Sequence, residues 1–311
     1  MVTIKWIAFY CGHGGMNYIE IRDSTDTLQY KIVVDAGSND DRSIGKISLV
    51  NYQTLYDLLW VENPGIPVIL CITHYDEDHY NFFDSMYSKI IENAECIEKI
   101  YFGSLTKDSF KALAPEAFVK KVFHLLKEKV SILDQISSTD SLVKVEDAEF
   151  GILWNNLCKN RGVNDNSAAY YLMNTTTYHA YIFTGDITGN TYLALKEDFE
   201  DLESEIHEKF QDYFTIVTVP HHGSINTLLE GGFIKIHDFN MRPLIDAMNR
   251  LSLSGGKFIL STGVKDMFRH PDNIAAKTFN AIANQENPIN VCCPIFFTYA
   301  LGRKKNYKCW Y

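Results

Sequence analysis

The segment His74–His79, with the sequence HYDEDH, places four side chains of metal-ligating type within six residues. It closely follows Pro67–Ile72, a short apolar run typical of a buried strand. A tight turn after a strand can present alternate side chains to one pocket, and imidazole together with carboxylate binds Zn²⁺, Mn²⁺ or Fe²⁺ well. The segment therefore predicts a divalent-metal site whose candidate ligands are His74, Asp76, Asp78 and His79.

Other predicted strands also end in candidate ligands. A pair of metal ions needs about six to eight ligands, so two ions would require these further residues. Asp186 directly follows the predicted strand at His179–Phe183 through Thr-Gly, and a single carboxylate there could bridge both ions. His221 and His222 follow the strand predicted at Phe214–Val219. Adjacent side chains are expected to diverge, so only one of the two histidines is expected to bind, with a slight preference for His221.

Several further residues are candidates for supporting roles. Asp35 follows a β-branched run at Tyr30–Val34 and is expected to hold the ligand loop by hydrogen bonds rather than to bind an ion. His270 precedes a predicted helix and could donate a proton to a leaving oxygen or hold a phosphate oxygen. Additional substrate or supporting contacts are expected from Ser224, Ser261 and the backbone of Gly263.

A layered α/β fold is needed to bring these residues together. Strand patterns lead the chain, a second strand set begins near Ser141, helices are interspersed, and no Pro/Gly/Ser-rich linker intervenes. We therefore expect one domain, residues 1–311, in which two sheets pack face to face with helices outside. The predicted helices are Ile47–Leu59, Asn81–Ile91, Lys107–Lys129 with a break near Pro115, Thr191–Phe210, Leu244–Leu251 and Pro271–Ala283.

The order of the motifs resembles the metallo-β-lactamase superfamily. A strand followed by Asp-x-Gly, an HxHxDH-type loop, a Gly-Asp pair and a late histidine occur in that order over nearly the whole chain. The closest resemblance is to the soluble hydrolase domain of ComEC/Rec2-type DNA-uptake proteins. Their HxDxDH, TGD, HHGS and His-Pro segments are similar to residues 74–79, 184–186, 221–224 and 270–271 here. The resemblance implies a four-layer αββα sandwich.

The resemblance also implies two divalent ions per chain, Zn²⁺ or Mn²⁺ with Mg²⁺ as a third candidate. A metal-bridging hydroxide, oriented by Asp78, would cleave phosphodiester bonds of single- or double-stranded DNA or RNA. The first ion would be held by His74, Asp76 and Asp186, and the second by Asp78, His79, Asp186 and one of His221 or His222.

Two departures from the superfamily pattern weaken the first site. Asp76 stands where most members have a second histidine, and no histidine follows a strand between the ligand loop and Asp186. Asn166 or Ser167, a water or a substrate oxygen is expected to fill that place. A site poor in nitrogen favours Mn²⁺ or Mg²⁺ over a permanently bound zinc pair.

Other interpretations of the same residues stay open. The fold could hydrolyse a carbonyl ester, lactone or thioester, or serve as a non-catalytic binding module. The carboxylates of the HYDEDH segment could simply cap a following helix, and Asp186 could do the same. His270 could be a helix-start residue without chemistry.

Composition excludes several classes of protein. The net charge of −10 disfavours a general nucleic-acid-binding surface, so phosphates must meet a locally positive site such as a metal centre. The seven cysteines form no CxxC pair, which is typical of a reduced compartment. No apolar run approaches 18 residues and no signal-peptide pattern is present, so a cytoplasmic location without membrane contact is predicted. The oligomeric state is left open, and the basic segment at 303–308 is predicted to be a solvated hairpin.

Overall fold

The described part of the chain forms two seven-stranded sheets. The computed structural model describes residues 1–9, 11, 14–38, 45–136, 139–158, 161–218 and 220–224, and the backbone of three later strands. The strands are β1 (Thr3–Ala8), β2 (Met16–Arg22), β3 (Leu28–Ala36), β4 (Val68–Ile72), β5 (Ile97–Phe102), β6 (Val130–Ile132), β7 (Asp140–Val145), β8 (Ala148–Trp154), β9 (Ala169–Asn174), β10 (His179–Phe183), β11 (Phe214–Thr218), β12 (Lys257–Leu260), β13 (Ile295–Phe297) and β14 (Tyr307–Trp310). The helices are α1 (Gly45–Tyr56), α2 (Glu77–Ser85), α3 (Tyr87–Glu92), α4 (Lys107–Ala112), α5 (Phe118–Leu126), α6 (Gly189–Glu197) and α7 (Glu200–Phe210).

Both sheets change from antiparallel to parallel pairing along their width. The first has the order β14-β1-β2-β3-β4-β5-β6, and the second β13-β12-β11-β10-β9-β8-β7. Pairing is parallel from β3 through β6 in the first sheet and from β10 through β13 in the second. Because parallel neighbours run the same way, their carboxyl ends meet at one edge of the sheet. Asp35 lies near the end of β3, and the HYDEDH segment, Asp186 and the two adjacent histidines follow β4, β10 and β11, so these candidate residues lie at these edges.

Three buried clusters separate four layers of structure. Between the sheets, the Trp6 ring packs edge-on against Tyr181 and Phe183, with centroids 5.1 and 5.5 Å away. The outer face of the first sheet packs against α1, α2, α3 and α5, and the outer face of the second against α6 and α7. Strand alternation explains this division, since Trp6 faces the other sheet while its neighbour Ile7 faces the helices. The αββα sandwich expected from the sequence is confirmed.

The helix boundaries differ from the predicted ones in a way that affects the site. The helix predicted at Asn81–Ile91 already begins at Glu77, and a new helix starts at Tyr87. Asp78 and His79 therefore lie on the first turn of α2 rather than in an extended loop. Acidic residues are favourable there because the amide groups of a helix N-terminus carry partial positive charge.

Two other predicted helices are also divided. The one at Lys107–Lys129 is interrupted between α4 and α5 around Pro115, as expected, and the one at Thr191–Phe210 is split into α6 and α7. The helix predicted at Ile47–Leu59 corresponds to α1, which continues into a π-helical turn at Asp57–Val61. The helices predicted at Leu244–Leu251 and Pro271–Ala283 lie outside the described residues.

The C-terminal strands extend both sheets. β12 and β13 continue the parallel part of the second sheet beyond β11. β14 pairs antiparallel with β1 at the edge of the first sheet. Residues 307 and 308 of the basic segment, for which a solvated hairpin was predicted, belong to this strand. Among the helices of the described ranges, none has both the length and the apolar character needed to cross a bilayer.

Candidate metal centre

Four buried side chains converge where the parallel strands of the two sheets end. Their ligand atoms are Asp78 Oδ2, His79 Nε2, Asp186 Oδ1 and His222 Nε2, and we call these residues the tight cluster. His79 Nε2 lies 3.1 Å from Asp186 Oδ1, 3.4 Å from His222 Nε2 and 4.0 Å from Asp78 Oδ2. His222 Nε2 lies 3.3 Å from Asp186 Oδ1 and 3.4 Å from Asp78 Oδ2. Ligands about 2.0–2.1 Å from a tetrahedral ion lie roughly 3.4 Å apart, so this spacing suits a single divalent cation.

The second oxygen of Asp186 faces a different set of side chains. His74 Nε2 lies 3.9 Å from Asp186 Oδ2 and 3.4 Å from Asp76 Oδ2. His221 Nε2 lies 3.7 Å from the same Asp186 oxygen. We call His74, Asp76, His221 and this oxygen the open cluster. Asp186 thus stands between two groups of nitrogen and oxygen donors, with one carboxylate oxygen directed at each.

Two atoms of these clusters show a deficit that a cation would relieve. Asp186 Oδ1 and His74 Nε2 are buried, yet neither has a hydrogen bond of acceptable geometry within the described residues. Leaving a buried polar atom without such a bond costs about 1–3 kcal/mol, and more for a charged one. The donor types, the spacing and this deficit all fit divalent metal ions.

Asp35 fixes the orientation of both histidines of the ligand loop. Its carboxylate accepts hydrogen bonds from the Thr73 amide, the Thr73 hydroxyl and His79 Nδ1, at 2.8, 2.8 and 2.9 Å. The Thr73 hydroxyl uses its one hydrogen in the bond to Asp35, so it can only accept a hydrogen bond from His74 Nδ1, 3.1 Å away. With Nδ1 protonated in each neutral imidazole, both rings present the Nε2 lone pair to the clusters. Asp35 lies behind the ligands, where the sequence analysis expected it.

Left-handed backbone turns the chain sharply at three strand ends of the site. Asp35, Gly185, His221 and His222 have φ values of 59°, 56°, 48° and 51°. This conformation costs a non-glycine residue roughly 1–2 kcal/mol. Such strain in ordered structure tends to mark functional sites.

The His221-His222 turn corrects the expectation that adjacent side chains diverge. Residues of a strand point to opposite faces, but two consecutive left-handed residues do not follow that alternation. The two rings instead flank Asp186 from either side, with Nε2 atoms 3.7 Å from Oδ2 and 3.3 Å from Oδ1. His222, rather than the slightly preferred His221, lies beside Asp78 and His79, and which of the two binds an ion stays a prediction.

Comparison with known proteins gives similarity in structure only. No family model matches the chain, and no curated protein sequence matches it. PDE1 from yeast, in its unliganded crystal structure, has a TM-score of 0.52 and 13% identity over 96% of this chain and 97% of its own. The metallo-β-lactamase fold protein YhfI from Bacillus subtilis has a TM-score of 0.35 and 14% identity over 84% and 98% of the two chains. A long form of RNase Z from yeast has a TM-score of 0.45 and 13% identity, over 98% of this chain and 41% of its own.

The chain has the metallo-β-lactamase fold. The similarity to PDE1 extends over nearly the full length of both chains, and the two-sheet topology places the clusters at the strand ends. A closer relationship to ComEC-type proteins stays a prediction.

Three glycines let backbone pack directly behind the candidate ligands. A Cβ at Gly37 would lie 2.4 Å from the carbonyl carbon of Asp78, and one at Gly15 would lie 3.0 Å from Asp35 Oδ2. A Cβ at Gly185 would lie 2.6 Å from the Thr73 side chain. Real Cβ atoms essentially never approach as closely as those at Gly37 and Gly185 would, so larger residues at these two positions would displace the ligand loop.

The carboxylates give the tight cluster a strong attraction for positive charge. Burial would lower the pKa of His222, but the charges of Asp186 and Asp78 raise it to about 9. Burial likewise opposes protonation of His79, yet Asp186 and Asp35 hold its pKa well above the usual range. Burial alone would raise the pKa of Asp186, and the surrounding histidines lower it well below its usual value. A cation at this position would replace the protons that the carboxylates draw to the histidines.

The remaining candidate residues have different outcomes. Asn166 was one of the alternatives, with Ser167, a water and a substrate oxygen, for the place of a missing histidine; its side chain bonds within its own loop, accepting from the Cys158 amide and donating to the Gly162 carbonyl. Ser167 is buried, and its hydroxyl has no hydrogen bond within the described residues. Ser224 is buried and its amide donates to the His221 carbonyl at 2.7 Å. Ser261, Gly263 and His270 lie outside the described residues.

Two residues of the site were not found from the sequence. Thr73 precedes His74 directly, and a hydroxyl at the last position before a ligand loop is the signal that could have indicated it. Asn164 is the other, because its Nδ2 lies 3.4 Å from His221 Nε2. Neighbouring asparagines in one short turn cannot be distinguished without coordinates.

Proposed function

We propose that the protein is a divalent-metal-dependent hydrolase that cleaves phosphodiester bonds, with DNA or RNA as its substrate class. The tight cluster is the observation that carries this proposal. Two imidazole nitrogens and two carboxylate oxygens lie 3.1–4.0 Å apart in the pairs measured, all from buried residues. That donor set is chemically suited to holding an ion.

Two ions are proposed. The tight cluster would hold one through Asp78, His79, Asp186 and His222, and His74, Asp76 and Asp186 would hold the other. When bound, such ions supply a nucleophilic water at neutral pH and offset charge on the reacting phosphoryl group. The Asp78 carboxylate is proposed to accept a hydrogen bond from the attacking water and so orient it. Asp35 and Thr73 would keep the histidines in the ligating tautomer.

A phosphodiester is the proposed substrate for two reasons. The chain carries a net charge of −10, so an anionic substrate needs bound cations to offset repulsion. The set of His74, Asp76 and Asp186 proposed for the second ion has two carboxylates and one imidazole, which favours hard, oxygen-binding ions that suit phosphoryl oxygens. A phosphodiesterase, yeast PDE1, is among the proteins that share the fold over their full length, which is consistent with the proposal.

Hydrolysis of bis(4-nitrophenyl) phosphate with added Mn²⁺ or Zn²⁺ tests the reaction type. We expect turnover by the wild-type protein that chelator abolishes and that is absent in His79→Ala. His124→Ala is the matched control, because His124 is exposed on α5 and belongs to neither cluster. Turnover of 4-nitrophenyl acetate without turnover of the phosphodiester would contradict the proposal and favour a carbonyl-ester hydrolase.

Metal content and nucleic-acid cleavage test the remaining parts. After dialysis against Mn²⁺ or Zn²⁺, less than about half an ion per chain would contradict the proposal and indicate a non-catalytic module. Labelled single-stranded and double-stranded DNA and RNA of equal length, incubated with the loaded protein, should show which strand type is cut. Cleavage of none of them, with bis(4-nitrophenyl) phosphate still hydrolysed, would contradict the nucleic-acid part alone.

A further inference from the structure

We propose that His221 is a ligand of the ion in the open cluster and supplies its second nitrogen donor. This inference rests on the proposed function, because it concerns the second of the two proposed ions. Without His221 that ion would have one imidazole and two carboxylates, one of them shared with the tight cluster. His221 adds a nitrogen at the Asp186 oxygen that faces away from the tight cluster.

The spacing around Asp186 Oδ2 carries the inference. His221 Nε2 and His74 Nε2 lie 3.7 and 3.9 Å from this oxygen, and Asp76 Oδ2 lies 3.4 Å from His74 Nε2. Ligands of one ion lie about 3.4 Å apart when each bond is about 2.0–2.1 Å long. His74 also lies in a compact donor set with His79 and Asp186, so the His221 and His74 rings must approach one another for this second set to close around a cation.

The backbone holds the His221 ring in position before any ion binds. Its amide donates to the Gly185 carbonyl at 3.1 Å, and its carbonyl accepts from the Ser224 amide at 2.7 Å. The histidine turn is therefore fastened to the residue that precedes Asp186. The left-handed conformation, with φ and ψ of 48° and 45°, is the feature that directs both adjacent rings at one carboxylate.

Asn164 lies beside the His221 nitrogen that would bind the ion. Its side-chain Nδ2 lies 3.4 Å from His221 Nε2, and an amide nitrogen is a donor only. An N–H donated by Asn164 is accepted by the single in-plane lone pair of His221 Nε2, so this hydrogen bond and an ion would use the same lone pair. An ion would take over that lone pair, and the imidazole would bind in the neutral form that metal ligation requires.

Metal titration of variants that preserve the left-handed backbone tests this role. His221→Asn and His221→Gly both tolerate positive φ and both remove the imidazole, so a folding defect is the smaller concern. Chelator-treated protein is titrated with Co²⁺, with the number of ions per chain measured after dialysis and visible absorption measured for coordination. His222→Asn, which has the same backbone conformation, is the matched variant for the tight cluster, and His124→Asn is the surface control.

We expect the wild-type protein to bind two Co²⁺ ions of unequal affinity. Both His221 variants should keep the tighter ion unchanged and bind the weaker one about 100-fold less well, because a direct ligand contributes at least as much as outer contacts worth 10–100-fold. His222→Asn should instead lower the affinity for the tighter ion. Thermal melting of the chelator-treated variants checks that the fold is retained.

The outcomes separate this inference from the proposed function. Two ions bound with wild-type affinities by His221→Asn and His221→Gly would overturn the role of His221 and leave the two-ion hydrolase standing. A wild-type protein that binds one ion would overturn the role as well, since no second ion exists for His221 to hold. Failure of the wild-type protein to bind any Co²⁺ would overturn both proposals.

Discussion

The tight and open clusters share Asp186 but differ in how completely the fold prepares them. Every side chain of the tight cluster is at most 8% exposed, and His79 is held from behind by Asp35. In the open cluster the Asp76 side chain is 44% exposed and that of His221 is 15% exposed. The measured donor pairs span 3.1–4.0 Å in the first and 3.4–3.9 Å in the second.

The difference shows which part of the site the fold holds rigid. The tight cluster takes its donors from α2 and from two strand ends that are buried and hydrogen-bonded, so little ordering remains when an ion binds. The open cluster includes the solvent-facing Asp76, whose side chain must lose freedom on binding. We therefore expect the tight cluster to bind first and more strongly, and the open cluster to be the side that admits substrate.

The largest expected effect comes from the residue that joins the clusters. Asp186→Asn preserves shape but removes the charge that faces His79 and His222 on one side and His74 on the other. Metal content should fall at both positions, and phosphodiester hydrolysis should drop by at least about 10³-fold, since several kcal/mol of transition-state stabilisation are lost. Dialysis with metal analysis, and rates on bis(4-nitrophenyl) phosphate, measure this. Loss of only one ion would show that the carboxylate does not bridge.

Separate removal of one histidine from each cluster tests whether the two clusters differ in metal affinity. His79→Ala should abolish the tighter ion, because it deletes a ligand at the centre of the tight cluster. His74→Ala should abolish the weaker ion and leave the tighter one at wild-type affinity, because His74 lies on the Asp186 Oδ2 side. Titration of both proteins with Zn²⁺ provides the measurement. Equal weakening of both ions in each variant would break the distinction between the clusters.

Asp35→Asn tests whether the metal affinity of the tight cluster depends on the hydrogen bonds that Asp35 accepts from Thr73 and His79. The amide cannot accept as a carboxylate does from Thr73 and His79, so the His79 ring loses its fixed tautomer. The tighter ion should bind about 10–100-fold less well. The weaker ion should change less, since His74 contacts Asp35 only through Thr73. An unchanged affinity for the tighter ion would be evidence against preorganisation by Asp35.

The smallest effect is expected from backbone packing behind the ligands. Gly37→Ala would place a Cβ 2.4 Å from the Asp78 carbonyl carbon, so α2 must shift, at a cost in unfolding free energy of about 1–3 kcal/mol. The affinity of the tight cluster for its ion should fall as well. Gly162→Ala is the control, because no described atom lies within 4 Å of the position that its added methyl group would take. Urea unfolding of both chelator-treated proteins measures the difference, and equal stabilities would contradict the packing argument.

Much of the candidate site was accessible from the sequence because ligands of this kind follow strands. The runs before His74, Asp186 and His221 are apolar and β-branched, and the position of each polar residue at a strand end could be inferred from that pattern alone. The choice of Asp35 as a supporting residue followed from the same reasoning. The contact of Asn164 with His221 could not be inferred, since side-chain direction within a one-turn 3₁₀ segment depends on contacts with a histidine 57 residues away.

By itself the sequence determined the residue types, their order and the alternation that builds two sheets with helices outside. These properties are local, because apolar periodicity and turn residues act over a few positions. Only the tertiary structure decided that His222 joins Asp78 and His79 while His221 faces the opposite oxygen of Asp186. That choice depends on two consecutive left-handed residues and on hydrogen bonds of the His221 backbone to the Gly185 carbonyl and from the Ser224 amide. Such conformations are imposed by surrounding contacts rather than by the intrinsic preference of histidine.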